Sequence, residues 1–324
     1  MTVVGGHVPA FWYFVEWYKK GPTMRHSLYF RLSAICFATS IIVCMSAISA
    51  RQASAETKEE TKFFVVGVGP GDPDLITLRG LETIKKADVI VCTRTPQTSK
   101  HRLGTYFAFE EKFAPYIEDK TLVHTDWFLG RYYGKPSSDF EGDERRKYEE
   151  ITANRNKVVA ELRQALEAGK VVVVLSKGDP LIYGPHAWYL DEFQDVQPVV
   201  VPGLSSFNAA NAALGRNVTA GKQTRSVILT AGFSSQGNTD SVEELSTHRC
   251  TMVAFTMGTE FEEFVSRVSA HYPPDTPIAV VMYAGYADKE TVVQGTLNNI
   301  LSRVNGNDLP FEYLVYVGSF LAGE

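Results

Sequence analysis

The chain has 324 residues, a formal net charge of -5 at pH 7, 44% hydrophobic residues and 21% charged residues. This length allows two domains, and the composition is that of a globular protein, which excludes a disordered or collagen-like chain. The acidic balance argues against a nucleic-acid partner, because such binding depends on basic side chains that neutralise phosphates. The four cysteines form no C-x-x-C pair and the seven histidines no H-x-x-x-H pair, so we expect neither a disulfide scaffold nor a bound metal.

An uncharged stretch from Leu32 to Ala50 follows a basic region near the N-terminus. Behind it, Ala53-Ser54-Ala55 forms the small-x-small pattern of a signal-peptidase site. Residues 1–55 are therefore predicted to be a secretory signal peptide, with Met24 as the hypothetical true start. The stretch is also long enough to span a bilayer, so a membrane anchor stays open as the alternative. We expect an exported, periplasmic protein after cleavage, or one that contacts the membrane only through this segment.

After a charged linker at 56–62, apolar runs alternate with segments of helical periodicity. The first block predicts strands at 63–69, 87–92, 171–175 and 199–201, and helices at 74–86, 151–168 (ended by Gly169) and 205–214. The second block predicts strands at 226–230, 252–256, 278–282 and 313–317, and helices at 261–271 and 296–304. This alternation predicts two α/β domains with mostly parallel sheets, at 63–222 and 223–324.

Three glycine-bearing loops follow predicted strands of the first block. They are Gly67–Pro73, Ser176–Gly184 and Pro202–Ser206. The first is neither a dinucleotide fingerprint nor a P-loop, because Asp72 replaces the third glycine and no Gly-Lys-Ser/Thr follows. Parallel strands end at one edge of a sheet, where open α/β sheets bind ligands, and glycine lets a ligand approach the backbone. Each loop alone could be a simple turn, but the set of three predicts one pocket.

Five segments of the chain resemble the tetrapyrrole (corrin/porphyrin) methylases. They read VVGVGPGDPDLITLRGLETIKKADVIV, LSKGDPLIYG, VVPGLSSFNAANAALGRNVT, FTMGT and VVQGTL, and the likeness extends from Phe63 to about Phe320. The resemblance implies a homodimer of two-domain α/β subunits, with S-adenosyl-L-methionine (SAM) in the cleft between domains. It also implies methyl transfer to a carbon of a tetrapyrrole such as a precorrin. The SAM contacts that it implies by position are Pro70, Lys177, Gly178, Asp179, Tyr183, Ser205, Ser206, Met257 and Ala284.

The sequence says less about the site for the tetrapyrrole that would accept the methyl group. The uroporphyrinogen-methylating branch of the family commonly ends its second strand with an acidic residue, whereas this chain has Thr93 followed by Arg94. This departure weakens a uroporphyrinogen assignment and leaves the catalytic base unassigned. The aromatic and arginine-rich segment 97–148 predicts either an acceptor surface or an inserted subdomain with its own small core. Three histidines could serve as axial ligands of a metallated macrocycle, although each is more simply interpreted as a surface or core residue. They are His101, His124 and His186.

Similar folds also methylate ribosomal RNA, a translation factor or a peptide backbone nitrogen, and the predicted signal and the acidic charge disfavour the first two of these substrates. Two other functions fit the sequence better. One is a SAM-dependent methyltransferase acting on a tetrapyrrole, and the other is an exported tetrapyrrole- or small-ligand-binding protein that keeps the fold without turnover. Export argues against the enzyme because SAM is made in the cytoplasm, but the nearly complete SAM loops favour it. The thiols of the mature chain, Cys92 and Cys250, are predicted to be buried and unpaired, although export would permit a disulfide.

Overall fold

The computed structural model describes residues 61–94, 109–220, 225–232, 240–256, 261–304 and 309–322. Within Thr61–Glu324, which forms one compact unit, all the elements named below are found. The predicted signal or anchor segment and the predicted domain boundary near Gly221 lie outside the described residues, so both stay predictions. No helix of the described part combines the length and the apolar character that crossing a membrane requires.

The first half of the described chain forms a sheet with its helices. Its elements are β1 (Phe63–Gly67), α1 (Leu78–Lys86), β2 (Val89–Arg94), α2 (Phe109–Ile117), β3 (Thr121–Asp126), α3 (Gly142–Glu167), β4 (Val172–Ser176), α4 (Trp188–Glu192), β5 (Val199–Val201) and α5 (Ser206–Leu214). The strands of this first sheet are parallel and follow the order β3-β2-β4-β1-β5 across the described residues. All residues of β4 are buried, as expected for a central strand with helices on both faces. Since β4, β1 and β5 are adjacent, the loops that leave their carboxyl ends are neighbours.

The second sheet is mixed, so the prediction of mostly parallel sheets is wrong for this half. Its elements are β6 (Val227–Ala231), α6 (Val242–Ser246), β7 (Thr251–Phe255), α7 (Phe261–Val268), β8 (Pro277–Met282), β9 (Thr291–Thr296), α8 (Ile300–Arg303) and β10 (Tyr313–Val317). The strands follow the order β6-β7-β10-β8-β9 across the described residues. Strands β6 and β7 are parallel, and the other neighbouring pairs are antiparallel. The antiparallel pairs arise because β10 enters between β7 and β8 in the opposite direction, and β9 returns from β8.

Several elements begin or end where the sequence pattern did not predict. Helix α1 starts at Leu78, where Thr77 Oγ1 accepts a hydrogen bond from Gly80 N–H, and a separate 3-10 turn at Pro73–Leu75 precedes it. Helix α3 begins at Gly142, well before residue 151, where the sequence predicts its start. The predicted start is too late because the first turns of the helix carry no apolar stripe. Strand β3 and helix α2 lie in the segment predicted to be irregular, and β9 ends where a helix was predicted to start.

Alternate residues of the first sheet feed two cores. Val66 and Ile90 pack on one face, and Val65 and Val91 pack on the other. Helix α5 follows the first sheet but packs its alanines against the second, in a core with Val253 and Leu314. The third loop therefore leaves one sheet and enters a helix that lies on the other. Cys92 and Cys250 are both buried and free, as the sequence predicts.

Candidate active site

The three loops that the sequence predicts to form one pocket do meet. Gly178 N–H donates to Gly69 O over 3.0 Å, which joins the first and second loops through their backbones. A Cβ atom added at Gly203 would lie 2.3 Å from Gly178 O, and one added at Gly67 would lie 2.5 Å from Gly203 N. Residues 67 and 203 must therefore be glycine because the loops contact each other there. The sequence analysis predicts a different reason, namely the close approach of a ligand to the backbone.

A cleft of about 730 Å³, open solvent included, lies over these loops and reaches the second sheet. All of the predicted SAM contacts except Met257, which lies outside the described residues, line this cleft. They are Pro70, Lys177, Gly178, Asp179, Tyr183, Ser205, Ser206 and Ala284. Trp127, which comes from the segment considered for the acceptor surface, also lines the cleft. The lining residues that sequence reasoning missed are Ile182, Phe255, Thr256, Phe311, Glu312, Tyr313 and Leu314.

The first loop is fastened to the turn that follows β8. Asp72 N–H donates to Gly285 O, and Asp72 Oδ2 accepts from Ala287 N–H, both over 2.8 Å. Gly71 has a φ of +72°, and a Cβ atom there would lie 2.1 Å from Gly285 O. We call these contacts the Asp72 clasp. They hold Pro70, in the loop after β1, beside Ala284, in the turn after β8.

The second loop carries both a turn-forming carboxylate and a strained tyrosine. Asp179 Oδ1 accepts from Leu181 N–H over 2.9 Å, so this carboxylate stabilises the turn and leaves Oδ2 for a ligand. Tyr183 has a φ of 56°, a region that costs energy for a bulky residue and that is concentrated at binding sites. Its ring packs 4.7 Å from that of Phe255 in β7, and burial raises the pKa of its phenol.

A buried ion pair crosses the cleft from one sheet to the other. Lys177 Nζ, just after β4, pairs with Glu312 Oε2, just before β10, and the two side chains are only 9% and 12% exposed. Lys177 Nζ also donates to Tyr286 OH over 2.8 Å, and Tyr286 OH donates to Glu312 Oε1 over 3.2 Å. Burial lowers the pKa of Lys177 to about 8; Glu312 opposes this shift, and Lys112 and Lys289 add to it.

The third loop begins helix α5 with a capping box. Ser205 Oγ accepts from Phe207 N–H over 3.3 Å, and Asn208 Oδ1 accepts from Ser205 N–H over 3.0 Å. The Ser205 hydroxyl still has its own proton to donate, so it can cap the helix and contact a ligand at once. The cap fixes Ser205 and Ser206 at the point where α5 turns toward the second sheet.

The residues considered for acceptor chemistry are placed mostly outside the cleft. His186 is buried, with Nε2 at 2.7 Å from Thr93 Oγ1 and Nδ1 at 3.1 Å from Ser176 Oγ. Burial lowers its pKa to about 4, so the ring is neutral and both nitrogens are engaged. His124 instead contacts Arg94 and Glu110 on the partly exposed side of β3. His186 is therefore a core histidine and His124 a surface one, and His101 lies outside the described residues.

The aromatic segment 97–148 supplies α2 and β3 to the first sheet and its layers, and Phe113 and Leu129 pack into the two cores of that sheet rather than into a separate subdomain. The rings of Tyr132, Phe140 and Tyr148 form a small cluster of their own, with centroids 4.8 to 5.8 Å apart. Trp127 alone, among the described residues of this segment, lines the cleft. It meets Phe311 edge-on, with ring centroids 6.3 Å apart, so each half of the chain contributes one ring to an aromatic pair in the cleft wall.

Comparison with known proteins agrees with this architecture. The cobalt-precorrin-4 C(11)-methyltransferase of Methanocaldococcus jannaschii is 28% identical over 265 residues, which are 80% of this chain and 88% of that protein. The S-adenosyl-L-methionine-dependent uroporphyrinogen III methyltransferase of Methanosarcina barkeri is 29% identical over 79% of this chain and 91% of that protein. A solved cobalt precorrin-4 methyltransferase shares the fold, with a TM-score of 0.60, 23% identity and coverage of 81% of this chain and 96% of that one. Residues 62–301 match the family described as Tetrapyrrole (Corrin/Porphyrin) Methylases, and the chain therefore belongs to this family of methyltransferases.

Proposed function

We propose that this protein transfers the methyl group of SAM to a carbon of a tetrapyrrole, and that the acceptor is of the precorrin type. The observation that carries the proposal is the convergence of the three loops on one cleft lined by the expected donor contacts. A pure binding protein of this fold would have no need to keep all three loops in contact with a shared cleft.

The residues present fit the donor. SAM carries a sulfonium, an ammonium and a carboxylate, with no phosphate, so it needs no basic cradle. The ionised lining side chains are one cation, Lys177, and two anions, Asp179 and Glu312, which together complement a ligand of net positive charge. At Gly178 an added Cβ atom would find nothing nearer than Leu204 O at 3.9 Å, so the backbone there is open to a ligand. Apolar walls such as Phe255 suit an adenosine.

The protein's part in the reaction is mainly to position the reactants. SAM, when bound, supplies an electrophilic methyl group on its sulfur. With SAM bound, the three loops would hold that group in place, and Phe255 would give it an apolar wall. Trp127 and Phe311 offer the acceptor a flat apolar contact at the same cleft. Alignment of the methyl group with an acceptor carbon at about 3–3.5 Å then supplies much of the rate acceleration.

The precorrin-type acceptor is supported by the end of β2. Thr93 is only 2% exposed and its hydroxyl is bonded to His186, so this position presents no carboxylate to an acceptor. In the family that this chain resembles, the uroporphyrinogen-methylating branch commonly has an acidic residue there, and its absence here disfavours that substrate.

Two measurements test the proposal. Calorimetry of the purified protein should detect SAM binding, and mass spectrometry should find a singly methylated product after incubation with SAM and a precorrin mixture. Tetrapyrrole binding without any SAM affinity would contradict the enzyme and favour the exported binding protein. SAM binding followed by methylation of uroporphyrinogen III but of no precorrin would contradict the acceptor alone.

A further inference from the structure

We propose that the ion pair of Lys177 and Glu312 sets how strongly the cleft prefers the charged donor, SAM, over its product, S-adenosylhomocysteine. This inference rests on the proposed function, because it assigns a role to two residues of the donor cleft. It goes further in naming the side chains that distinguish a sulfonium from a thioether. It also predicts how that distinction changes with pH.

The pair is placed to act on a ligand as well as on the fold. Both side chains line the cleft, and Lys177 immediately precedes Gly178, where the backbone is open to a ligand. Tyr286 closes a triangle of hydrogen bonds with the two charges, so their positions are fixed. A buried ion pair adds little stability compared with well-packed apolar side chains, and so stability alone is a weak reason to build one here. A charged pair held in the wall of a cleft is more typical of a functional site.

Two further lysines lie beside the pair. Lys112 Nζ and Lys289 Nζ each lie 4.0 Å from the Tyr286 ring centre, and neither of these lysines lines the cleft. Lys112 also donates to Gly71 O over 2.6 Å. Asp72 and Asp288 lie near Lys112, and Lys289 lies over the Tyr283 ring. Of the carboxylates in this region, Asp72 and Glu290 accept backbone N–H groups and Asp179 stabilises its own turn.

Methyl transfer changes the charge that this wall meets. The bond between sulfur and the methyl carbon breaks, its electron pair stays on sulfur, and the donor loses one positive charge. The Glu312 carboxylate favours the sulfonium over the thioether, and the Lys177 ammonium opposes it. While both are ionised, the Lys177 charge opposes that of Glu312 and keeps the preference for SAM small. When Lys177 loses its proton, the cleft loses the one cation among its described lining residues, and the preference for SAM grows.

The size of the change follows from Coulomb's law. For unit charges about 10 Å apart at an effective dielectric constant of about 20, the interaction corresponds to roughly a tenfold change in binding. Burial holds the pKa of Lys177 at about 8, so the change falls between neutral and mildly alkaline solution. The ratio of the dissociation constants, Kd of S-adenosylhomocysteine over Kd of SAM, is the quantity that reports it.

The experiment measures this ratio by calorimetry with SAM and S-adenosylhomocysteine at about pH 7 and about pH 9. For the wild type and for Lys85→Met, an exposed control in α1, the ratio should rise about tenfold with pH. Lys177→Met should show the high ratio at both pH values, whereas Glu312→Gln and Lys177→Arg should show a low one at both. The free ligands titrate identically in every experiment, so the comparison among proteins at one pH reports the effect of the pair.

The possible failures are distinct. Equal ratios in the wild type, Glu312→Gln and Lys177→Arg at both pH values would overturn the inference while leaving the donor assignment intact. Failure of the wild type to bind either ligand would overturn the donor assignment, and this inference with it. Lys177→Arg keeps the positive charge and the ion pair, so the comparison stays decisive even if Lys177→Met does not fold.

Discussion

His186 is a buried, neutral histidine whose pKa is lowered to about 4. In the unfolded chain a histidine has a pKa near 6.5, so between about pH 6.5 and pH 4 the unfolded state binds a proton that the native state does not. His186 therefore costs no stability above about pH 6.5. As the pH decreases toward 4, it lowers the free energy of unfolding by roughly 3 kcal/mol in total. Thr93 and Ser176 leave the ring no carboxylate partner that would offset this loss.

Urea denaturation at a series of pH values checks this prediction. His186→Gln should be less stable than the wild type at pH 7, because it disturbs a packed site, but it should lose less further stability on acidification. His248→Gln, at an exposed position, is the matched control and should follow the wild type. Parallel acid curves for the wild type and His186→Gln would show that the ring is not held neutral.

The residues of the cleft differ in how visibly the sequence marks them. Pro70, Gly178 and Ser205 stand in loops that combine glycine and proline directly after apolar strands, so their grouping at one sheet edge could be predicted. Glu312 and Phe311 lie in an ordinary segment before a strand, and only the pairing of β10 between β7 and β8 brings them to the cleft. The ion pair between Lys177 and Glu312 could not be predicted, because the two residues are far apart in the chain and meet only in the folded structure.

Contact between the loops makes Gly203 sensitive to any side chain. A Cβ atom at this residue would lie 2.3 Å from Gly178 O and 2.8 Å from Gly67 C, and backbone atoms cannot rotate away. Gly203→Ala should therefore cost about 1–3 kcal/mol in unfolding free energy and separate the second and third loops. We expect SAM binding, measured by calorimetry, to weaken by roughly tenfold or more, which corresponds to about 1.4 kcal/mol.

Gly215→Ala provides the control for this substitution. Gly215 ends α5 with a φ of +59°, and an added Cβ atom there meets nothing within 4 Å. This variant should lose stability through backbone strain alone and keep its SAM affinity. If Gly203→Ala binds SAM as tightly as Gly215→Ala does, contact between the loops does not shape the donor site.

The elements that the sequence predicted best are those with strong apolar patterns. Strands β1, β2 and β4 are continuous apolar runs buried on both faces, so their type was clear. The long helix α3 was predicted too short because Arg155 and Leu162 are its buried residues and its first turns are polar. The antiparallel position of β10 depends on tertiary pairing, and a run such as Tyr313–Val317 looks the same in either direction.

At the scale of the whole molecule, the prediction for the N-terminal segment concerns where the protein works. We propose that residues 1–55 direct export, with cleavage after Ala55, as the basic, apolar and small-residue regions indicate. Fractionation of expressing cells should then find the mature chain outside the cytoplasm, and mass spectrometry should find Glu56 as its first residue. A full-length chain in the membrane fraction would support the anchor instead, and one in the cytoplasm would contradict both.

The Asp72 clasp joins the two sheets on the donor side of the cleft, so it should couple folding stability to ligand affinity. Asp72→Ala removes the acceptor for Ala287 N–H, and we expect a loss of about 1 kcal/mol of unfolding free energy. SAM affinity should fall as well, because Pro70 and Ala284, which both line the cleft, are then held less firmly relative to each other. Denaturation and calorimetry on the same samples measure both effects.

Two further variants show whether the clasp acts through that hydrogen bond. Asp72→Asn keeps an amide oxygen that can accept from Ala287 N–H, so it should recover most of the stability and affinity. Asp74→Ala, at an exposed site two residues further along the chain, should change neither quantity. Both alanine substitutions remove one negative charge, but only Asp72→Ala breaks the contact between the sheets. If Asp74→Ala weakens SAM binding as much as Asp72→Ala does, the charge of the loop and not the clasp causes the loss.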